Sequence, residues 1–229
     1  MSESISARMR DINIEWLTRA AEFDHLFHTR WLGERFFHLP GDMLAIQELV
    51  WRVRPAYIVQ TGVAAGGGVV FSASMLALAT DRGQVIAVEP RLRPEVRERL
   101  QSHRLAQRMQ LIEGESCAQA TLDAVRARMT DDGPVLVILD LTHTHDHVAR
   151  ELACYAGFVT PGSHVVVMDT IMEYLPEEMF HGKPYGRGNN PATAVRAFLA
   201  DDDRFEVDSE IEDRVIMTLS PGGFLKRVR

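Results

Sequence analysis

Cysteine is scarce in this sequence, because only Cys117 and Cys154 occur among its 229 residues. Two cysteines that form no Cys-x-x-Cys pair are too few for a disulfide scaffold. We therefore expect both to be ordinary small side chains of the protein interior. The expected compartment is the reducing cytoplasm.

Clustered basic residues and long apolar runs are also missing. Asp and Glu number 32 against 25 Lys and Arg, which gives a formal net charge of −7. A protein that binds a phosphate backbone needs clustered Lys and Arg, so nucleic acid is not an expected partner. The longest apolar run, residues 69–79, is interrupted by Ser72 and Ser74 and is too short to span a bilayer. The first residues lack the apolar segment of a secretory signal, and no membrane partner is expected.

What the sequence does contain is an alternation of apolar runs and amphipathic segments from residue 57 onward. Apolar runs with helical segments between them predict buried parallel strands linked by crossover helices. The expected strands are residues 57–61, 85–89, 109–112, 135–140 and 164–169. The expected helices are residues 69–80, 94–103, 118–129, 147–158 and 190–199. Two last strand-like runs, residues 204–208 and 214–219, are expected to form an antiparallel pair.

This order of elements predicts one α/β domain over residues 1–229. Residues 55–229 are expected to form a doubly wound, Rossmann-like core with a seven-stranded, mostly parallel sheet and a C-terminal antiparallel strand. Residues 1–54 are expected to add an N-terminal helical cap. It includes a helix after Pro40-Gly41 for which Asp42 is the expected N-cap.

A polar residue or a glycine follows or ends each of the five expected parallel strands. These residues are Gly62, Glu89, Gly114, Asp140 and Asp169. A doubly wound sheet binds its ligand beyond the carboxyl ends of its strands. The same positions are therefore the ones at which chemistry is expected.

A glycine-rich loop, residues 60–68, follows the first of these strands and reads Gln-Thr-Gly-Val-Ala-Ala-Gly-Gly-Gly. Its spacing is neither that of a dinucleotide fingerprint nor that of a Walker A motif. The glycines either let the backbone approach a ligand at a helix start, or they serve only the packing of helix against strand. The candidate binding residues of the loop are Gln60, Thr61, Gly62, Gly66 and Gly67.

The acids at the strand ends indicate two kinds of contact. Glu89 is placed to accept hydrogen bonds from both hydroxyls of a ribose, and a solvated acid is the alternative. Asp140 and Asp169, with Thr170 next in the chain, are typical of an oxygen-ligand site for Mg²⁺ or a similar cation. The alternative is that both aspartates cap helices.

Three histidines at alternate positions, His143, His145 and His147, follow Asp140. A zinc site is not expected, because the sequence has neither a His-Glu-x-x-His motif nor a paired-cysteine motif. Asp140, His143 and His145 are instead the candidate catalytic residues, with either histidine as a general base. A structural role for the histidines is the alternative.

Several segments together resemble one known family. They are Arg30-Trp-Leu-Gly33, residues 45–55, the glycine-rich loop, residues 143–148, Gly188-Asn-Asn-Pro191 and Ser220-Pro-Gly-Gly-Phe224. This set is similar to the cephalosporin hydroxylase/rhamnosyl O-methyltransferase family over about residues 25–228. The resemblance implies a class I methyltransferase fold, S-adenosylmethionine as cofactor and a divalent cation. It also implies O-methylation of a small polar acceptor, such as a sugar or a secondary metabolite.

On this resemblance, S-adenosylmethionine is expected to place its amino-acid end over the glycine-rich loop beside Asp140 and its ribose on Glu89. Its adenine is expected near Glu115 and Ser116. The Gly/Pro-rich segment 174–189 is expected to be a lid or an acceptor wall, and a homo-oligomer is expected.

The sequence departs from the family at several positions, one of which is Glu115, where relatives often have Ser. Gln60 stands where relatives have Glu, Leu141 stands where they have Ser, and Met168 stands where some have an acid. These departures concern the metal site and the acceptor more than the cofactor platform.

Other functions fit the sequence less well. An iron-dependent oxygenase, which the family name suggests, needs two His and one carboxylate, and the β–α alternation is the wrong architecture for it. An NAD-dependent oxidoreductase needs a glycine spacing that the loop lacks. A non-catalytic binding protein that keeps the fold stays an alternative.

Overall fold

The computed structural model describes residues 5–229, with the backbone alone described for residues 6 and 7. Residues 1–4 of the expected cap lie outside the described residues. The cap consists of α1 (Ile5–Arg8), α2 (Arg10–Ala21), a 3-10 helix (His25–Phe27), the hairpin of β1 (Arg30–Trp31) and β2 (Glu34–Arg35), and α3 (Pro40–Val53). The strands of the main sheet are β3 (Tyr57–Thr61), β4 (Gln84–Glu89), β5 (Met109–Glu113), β6 (Val135–Leu139), β7 (His164–Val167), β8 (Phe205–Val207) and β9 (Phe224–Arg227). The helices of the core are α4 (Gly67–Ala79), α5 (Pro94–Ser102), α6 (Gln119–Arg128), α7 (His145–Tyr155), α8 (Pro191–Asp201) and α9 (Ser209–Val215). Further 3-10 helices are Ala106–Arg108, Ala156–Phe158, Thr170–Glu173 and Glu177–Phe180.

The main sheet has the strand order β5-β4-β3-β6-β7-β9-β8. Strands β3 to β7 run parallel, and β9 is antiparallel to both of its neighbours. The expected seven-stranded, doubly wound sheet with a C-terminal antiparallel strand is confirmed. The chain order reverses between β3 and β6, so the crevice at their carboxyl ends is the expected ligand site.

Helices cover both faces of the sheet, as a parallel sheet requires. Every residue of β3 and β6 is buried. On one face α3, α4 and α5 contribute Leu49, Leu76 and Leu100 to the core. On the other face α6 and α7 contribute Leu122 and Leu152, and α8 packs beside them. Since each such side chain stabilises the fold by about 1.5–3 kcal/mol, the two layers fix the carboxyl edge of the sheet firmly.

The expected strand at residues 214–219 is wrong. This segment contains the end of α9, which continues to Val215. Beyond the helix, the Leu219 N–H donates to Asp42 and the Leu219 carbonyl oxygen accepts the Ile171 N–H. Because these backbone groups already have partners outside the sheet, β9 is the antiparallel partner of β8.

The expected N-cap role of Asp42 is also wrong. Leu39 holds the N-cap position of α3, and Asp42 lies in the first turn, where its carboxylate accepts the Leu39 N–H at 3.1 Å. Asp42 is fully buried and also accepts the Thr218 hydroxyl and the Leu219 N–H. Burial raises the pKa of Asp42 to about 6, although these hydrogen bonds and the nearby His38 oppose the rise.

The cap packs over the carboxyl edge of the sheet. An apolar cluster joins it to the segment after β7: Leu17, Leu39, Ile171, Leu175 and Leu219. The hairpin of β1 and β2, which the sequence pattern does not predict, packs against α4. The cap therefore forms one wall of the crevice. None of the helices within residues 5–229 has the length and apolar character needed to cross a membrane.

Candidate active site

The turn after β3 fixes the position of Asp140. Gly62 has φ = +87°, and a Cβ at this position would clash with the Asp140 carbonyl oxygen, so glycine is required here. The Asp140 N–H donates to the Thr61 carbonyl oxygen at 3.1 Å. Thr61 and Gly62 thus join the ends of β3 and β6, where the strand order reverses.

The rest of the glycine-rich loop packs against the cap. Gly66 has φ = +100° and is the N-cap of α4. A Cβ on Gly67 would clash with the Arg35 carbonyl oxygen of the β1–β2 hairpin. Gln60 is buried, and its amide donates to the Gly62 carbonyl oxygen at 3.2 Å. Packing therefore explains Gly67, and Gln60 supports the loop from within the core.

Glu89 lies at the mouth of the crevice, beside the loop. Its Oε2 accepts the Val63 N–H at 3.0 Å and the Ala64 N–H at 3.4 Å. Its Oε1 makes a longer contact of 3.5 Å with the Arg91 N–H. The carboxylate thus orders the loop through one oxygen, and the weakly bound Oε1 is able to accept a further hydrogen bond.

The loop after β5 carries Glu115 and Ser116. Glu115 is exposed, whereas Ser116 is buried. The Tyr155 hydroxyl donates to the Ser116 carbonyl oxygen at 2.6 Å. This hydrogen bond ties the loop to α7, so the position of Ser116 is fixed, and Glu115 is the side chain that reaches solvent.

His38 and Asp140 form the more buried of two aspartate–histidine pairs. Nε2 of His38 lies 3.2 Å from Oδ2 of Asp140, and the side chains are 8% and 22% exposed. Burial lowers the pKa of His38, but the hydrogen bond and charge of Asp140, with Asp42 and Asp169, outweigh it and raise the pKa above its usual value. The ring also packs against Phe36. The fold therefore favours the charged imidazolium at this position.

His143 and Asp169 form the second pair, which is more open. Nδ1 of His143 lies 3.4 Å from Oδ2 of Asp169, and the side chains are 24% and 20% exposed. Tyr185 contacts the His143 ring edge-on, with ring centroids 5.2 Å apart. Burial raises the pKa of Asp169, with His143 opposing the rise and Asp140 adding to it. Asp140 is therefore close enough to raise the pKa of Asp169, as neighbouring strand ends predict.

His145 does not join this group. Its Nδ1 lies 2.8 Å from the Thr193 hydroxyl oxygen, and its N–H donates to the Asn189 side chain at 2.9 Å. Both partners lie at the start of α8. Of the two candidate bases, the structure brings His143 to Asp169 and directs His145 toward α8.

Thr170 is likewise directed elsewhere. It is fully buried, and its hydroxyl donates to the Pro221 carbonyl oxygen at 2.8 Å. The preceding residue, Asp169, has φ = +60°, which is uncommon for a residue other than glycine. This backbone turn separates the Asp169 side chain, which faces the crevice, from the Thr170 hydroxyl, which bonds to the C-terminal turn.

The donor set for a cation is small. Within the part of the chain that the structure describes, no group of three or more His, Cys, Asp or Glu side chains has the arrangement of a metal site. Mg²⁺ is commonly held by only one or two carboxylates, with waters and substrate oxygens as its other ligands. Asp140 and Asp169 therefore fit a hard cation only if ligands from outside the protein complete its coordination.

The segment 174–189 is anchored at its C-terminal end. Glu173 accepts the Gly188 N–H at 2.9 Å, the Asn190 side-chain amide at 2.5 Å and the Arg196 guanidinium at 2.8 Å. Residues 181–184 are exposed. These contacts join the two ends of the segment, and its exposed middle remains the part expected to act as a lid.

The strand order, the antiparallel β9 and the polar strand ends define a class I methyltransferase fold, and solved structures agree. The chain aligns with a structure described as "CmcI-N160 apo-structure" at a TM-score of 0.62 and 18% identity, over 89% of this chain and 77% of that chain. It aligns with "cmcI-D160 Mg-SAM" at a TM-score of 0.60 and 18% identity, over 89% of this chain and 78% of that chain. It aligns with an O-methyltransferase from Bacillus cereus in complex with SAH at a TM-score of 0.55 and 13% identity, over 85% of this chain and 81% of that chain.

Sequence comparison identifies the family within this fold. The Rhamnosyl O-methyltransferase/CmcI family matches residues 24–228, and the chain belongs to that family. The rhamnosyl O-methyltransferase of Mycobacterium tuberculosis is 24% identical over 210 residues, which cover 87% of this chain and 78% of that protein. The Mycobacterium leprae protein of the same name is 25% identical over 207 residues, which cover 87% and 83%. The family resemblance that the motifs indicated is confirmed.

Two residues of the crevice have no assigned role in the sequence prediction. His38 lies 102 positions from Asp140 in the chain, in a cap whose packing has no sequence periodicity. Tyr185 lies in the segment expected to line the acceptor, but the sequence does not predict its contact with His143. The only sequence signal for His38 is that the segment before α3 is rich in aromatic residues and histidine.

Proposed function

We propose that this chain is an S-adenosylmethionine-dependent O-methyltransferase that methylates a hydroxyl group of a small acceptor with the help of a divalent cation. Its relatives are named rhamnosyl O-methyltransferases, and two aligned structures are described as Mg-SAM and SAH complexes. The observation that carries the proposal is the meeting of Asp140, Asp169 and His143 at the carboxyl edge of the sheet. Glu89 orders the adjoining loop.

The cofactor occupies the crevice between the ends of β3, β4 and β5 in this proposal. Oε1 of Glu89 is the acceptor for the ribose hydroxyls, because Oε2 already holds the loop. Gly62 and Asp140 would hold the amino-acid end of the cofactor, and Glu115 and Ser116 would hold its adenine. A hydrogen bond to a charged carboxylate contributes about 1.5–3 kcal/mol, which makes Glu89 the side chain with the largest expected effect on affinity.

His143 is the proposed general base. Its Nδ1 faces Asp169, which fixes the ring and leaves Nε2 to take a proton. The acceptor oxygen attacks the methyl carbon, the carbon–sulfur bond breaks with its electrons on sulfur, and S-adenosylhomocysteine leaves. The hydroxyl proton passes to His143 and then to solvent. Positioning of the two reactants supplies the remainder of the rate enhancement.

Asp140 and Asp169 are the residues that would hold the cation. Two adjacent carboxylates in a partly buried site repel each other, and a hard dication offsets this repulsion. When bound, the cation would lower the pKa of the acceptor hydroxyl. The backbone of Thr170 is the part of that residue left to contribute, because its hydroxyl donates to Pro221.

A transfer assay with isotope-labelled cofactor tests the proposal. The protein, with MgCl₂, is incubated with S-(trideuteromethyl)adenosylmethionine and a panel of sugars, phenols and alicyclic alcohols, and products are analysed by mass spectrometry. We expect a trideuteromethyl ether of at least one hydroxyl compound together with S-adenosylhomocysteine. Tight cofactor binding without transfer to any class in the panel would favour the non-catalytic binding protein. A chain that binds no cofactor would contradict the proposal altogether.

A further inference from the structure

A cavity of about 300 Å³ adjoins the candidate active site. One wall is formed by α2 and residues 24–27 of the cap, and the other by residues 171–185. Asp169 belongs to the same lining, so the cavity reaches the His143–Asp169 pair. We call this cavity the cap pocket. Its volume lies at the small end of the range for small-molecule sites, which suits one ring with short substituents.

The lining of the cap pocket is mainly apolar. It includes Leu17, Leu26, Ile171, Leu175, Met179 and Phe180. Its charged or titratable members are Asp169 at the active site and Asp24 and His25 in the cap, with Tyr185 between the pocket and the active site. A sugar ring has hydroxyls on most of its carbons, and each one buried without a partner costs about 1–3 kcal/mol. The pocket thus suits an apolar ring far better than a sugar ring.

Tyr185 connects the cap pocket to the proposed base. Its ring contacts Phe180 inside the pocket, with centroids 6.2 Å apart, and His143 at the active site, with centroids 5.2 Å apart. Both contacts are edge-on, the arrangement that aromatic rings favour. A ring bound in the pocket would lie along Tyr185, and a hydroxyl on its inner end would face Asp169.

We propose that the cap pocket binds the body of the acceptor, and that the reacting hydroxyl is attached directly to an aromatic or alicyclic ring that is otherwise apolar. This inference rests on the proposed function, since it assigns the acceptor class of the same site. It differs from the sequence-based expectation of a polar acceptor such as a sugar. The apolar character of the lining that residues 171–185 and the cap form together is the reason for the difference.

Calorimetric titration of two matched probes tests this acceptor class. The probes are 4-ethylphenol and methyl α-L-rhamnopyranoside, which both carry hydroxyl on a six-membered ring but differ in the polarity of that ring. Each is titrated into the wild-type chain saturated with S-adenosylhomocysteine and MgCl₂. We expect 4-ethylphenol to bind at least about tenfold more tightly, which corresponds to about 1.4 kcal/mol.

A substitution that fills the pocket supplies the structural control. Ala20 lines the cap pocket on α2, so Ala20→Phe should weaken 4-ethylphenol binding by about tenfold or more and leave S-adenosylhomocysteine affinity unchanged. Arg19→Phe adds the same ring to the next residue of the helix, where the side chain is 74% exposed, and should change neither affinity. Should Ala20→Phe fail to fold, Met179→Trp fills the pocket from the opposite wall.

The outcomes separate the two proposals. Equal or tighter binding of the rhamnoside, no binding of either probe, or a pocket-filling variant with wild-type affinity for 4-ethylphenol would each overturn the acceptor class alone. Failure of the wild-type chain to bind S-adenosylhomocysteine would instead remove the proposed function.

Discussion

The two aspartate–histidine pairs at the carboxyl edge of the sheet differ in the origin of the histidine and in its access to water. His38 comes from the cap and is 8% exposed, whereas His143 comes from the loop after β6 and is 24% exposed. Their partners, Asp140 and Asp169, are almost equally exposed, at 22% and 20%. The difference between the pairs therefore lies in the histidines.

This difference separates an ordering role from a chemical one. His38 lies among three carboxylates that raise its pKa, so folding favours its charged form, and its contact with Asp140 joins the cap to the sheet. His143 faces the crevice beside Tyr185, where it can meet an acceptor and release its proton to water. We therefore expect substitutions of His143 or Asp169 to affect transfer, and substitution of His38 to affect stability.

The largest effect is expected from Asp169→Asn in the open pair. The change removes a negative charge that orients His143 and that would hold the cation, so transfer should fall by about 10³-fold. Stability should change little, because burial already raises the pKa of Asp169 and disfavours its charge. Transfer to the accepting compound of the panel is followed by mass spectrometry, and unfolding by circular dichroism.

The control for this prediction is Asp123→Asn, an exposed aspartate on α6 paired with Arg126. It should keep both the transfer rate and the melting temperature. Transfer by Asp169→Asn within a factor of about three of the wild type would show that the open pair has no part in the reaction.

His143→Gln should have the next largest effect, a loss of about 10²-fold in kcat, because the general base is removed and the cofactor site is untouched. Its matched control is His145→Gln, two residues along the chain, whose ring bonds to Thr193 rather than to Asp169. Steady-state kinetics of the two variants make the comparison. An equal loss in both would mean that the structure does not distinguish the two histidines.

A smaller effect, on stability, is expected from His38→Gln in the buried pair. The substitution leaves Asp140 with a weaker partner, which lowers the free energy of unfolding by about 1–3 kcal/mol. In a chain of this size, each kcal/mol lost lowers Tm by roughly 2–4 °C. His28→Gln, at an exposed histidine of the same cap, should leave Tm unchanged. A His38 variant as stable as the wild type would remove the ordering role.

The smallest expected effect is the pH dependence of that stability difference. The pKa of His38 is raised in the folded chain above its usual 6.5, so the folded state binds the proton more tightly than the unfolded state. The resulting stabilisation is complete below the unfolded pKa and is lost as the pH rises through the folded pKa. The gap in Tm between wild type and His38→Gln should therefore narrow as the pH rises above about 6.5, the usual pKa of histidine. A gap in Tm that widens as the pH rises would contradict a raised pKa of His38 in the folded chain.

Much of the fold follows from local sequence pattern. The five parallel strands and their crossover helices are set by apolar runs and amphipathic segments, and the observed bounds differ from the expected ones by at most three residues. Adjacent parallel strands also explain why Asp140 and Asp169 were expected to meet. The C-terminal region differs because the backbone near Leu219 bonds to Asp42 instead of to a strand, a partner 177 positions away that no local pattern reveals.

The candidate site was only partly predictable for a related reason. Sequence places residues at strand ends but not the direction of each side chain there, so His145 and Thr170 were expected in the crevice and bond elsewhere. The glycines of the loop could serve either a close approach to a ligand or the packing of the loop. A Cβ on Gly67 would clash with the β1–β2 hairpin, which favours the packing role at that position. The contribution of His38 depends on how the cap packs on the sheet, which requires the structure.

The most direct test of the account is isothermal titration of S-adenosylmethionine into the wild-type chain, Glu89→Ala and Glu98→Ala. Glu89 lies at the mouth of the crevice, and Glu98 is an exposed residue of α5. We predict one binding site per chain, a loss of affinity of about tenfold or more in Glu89→Ala, and no change in Glu98→Ala. Absence of binding to the wild type, or equal affinity in all three proteins, would contradict a cofactor site at the carboxyl ends of β3 and β4.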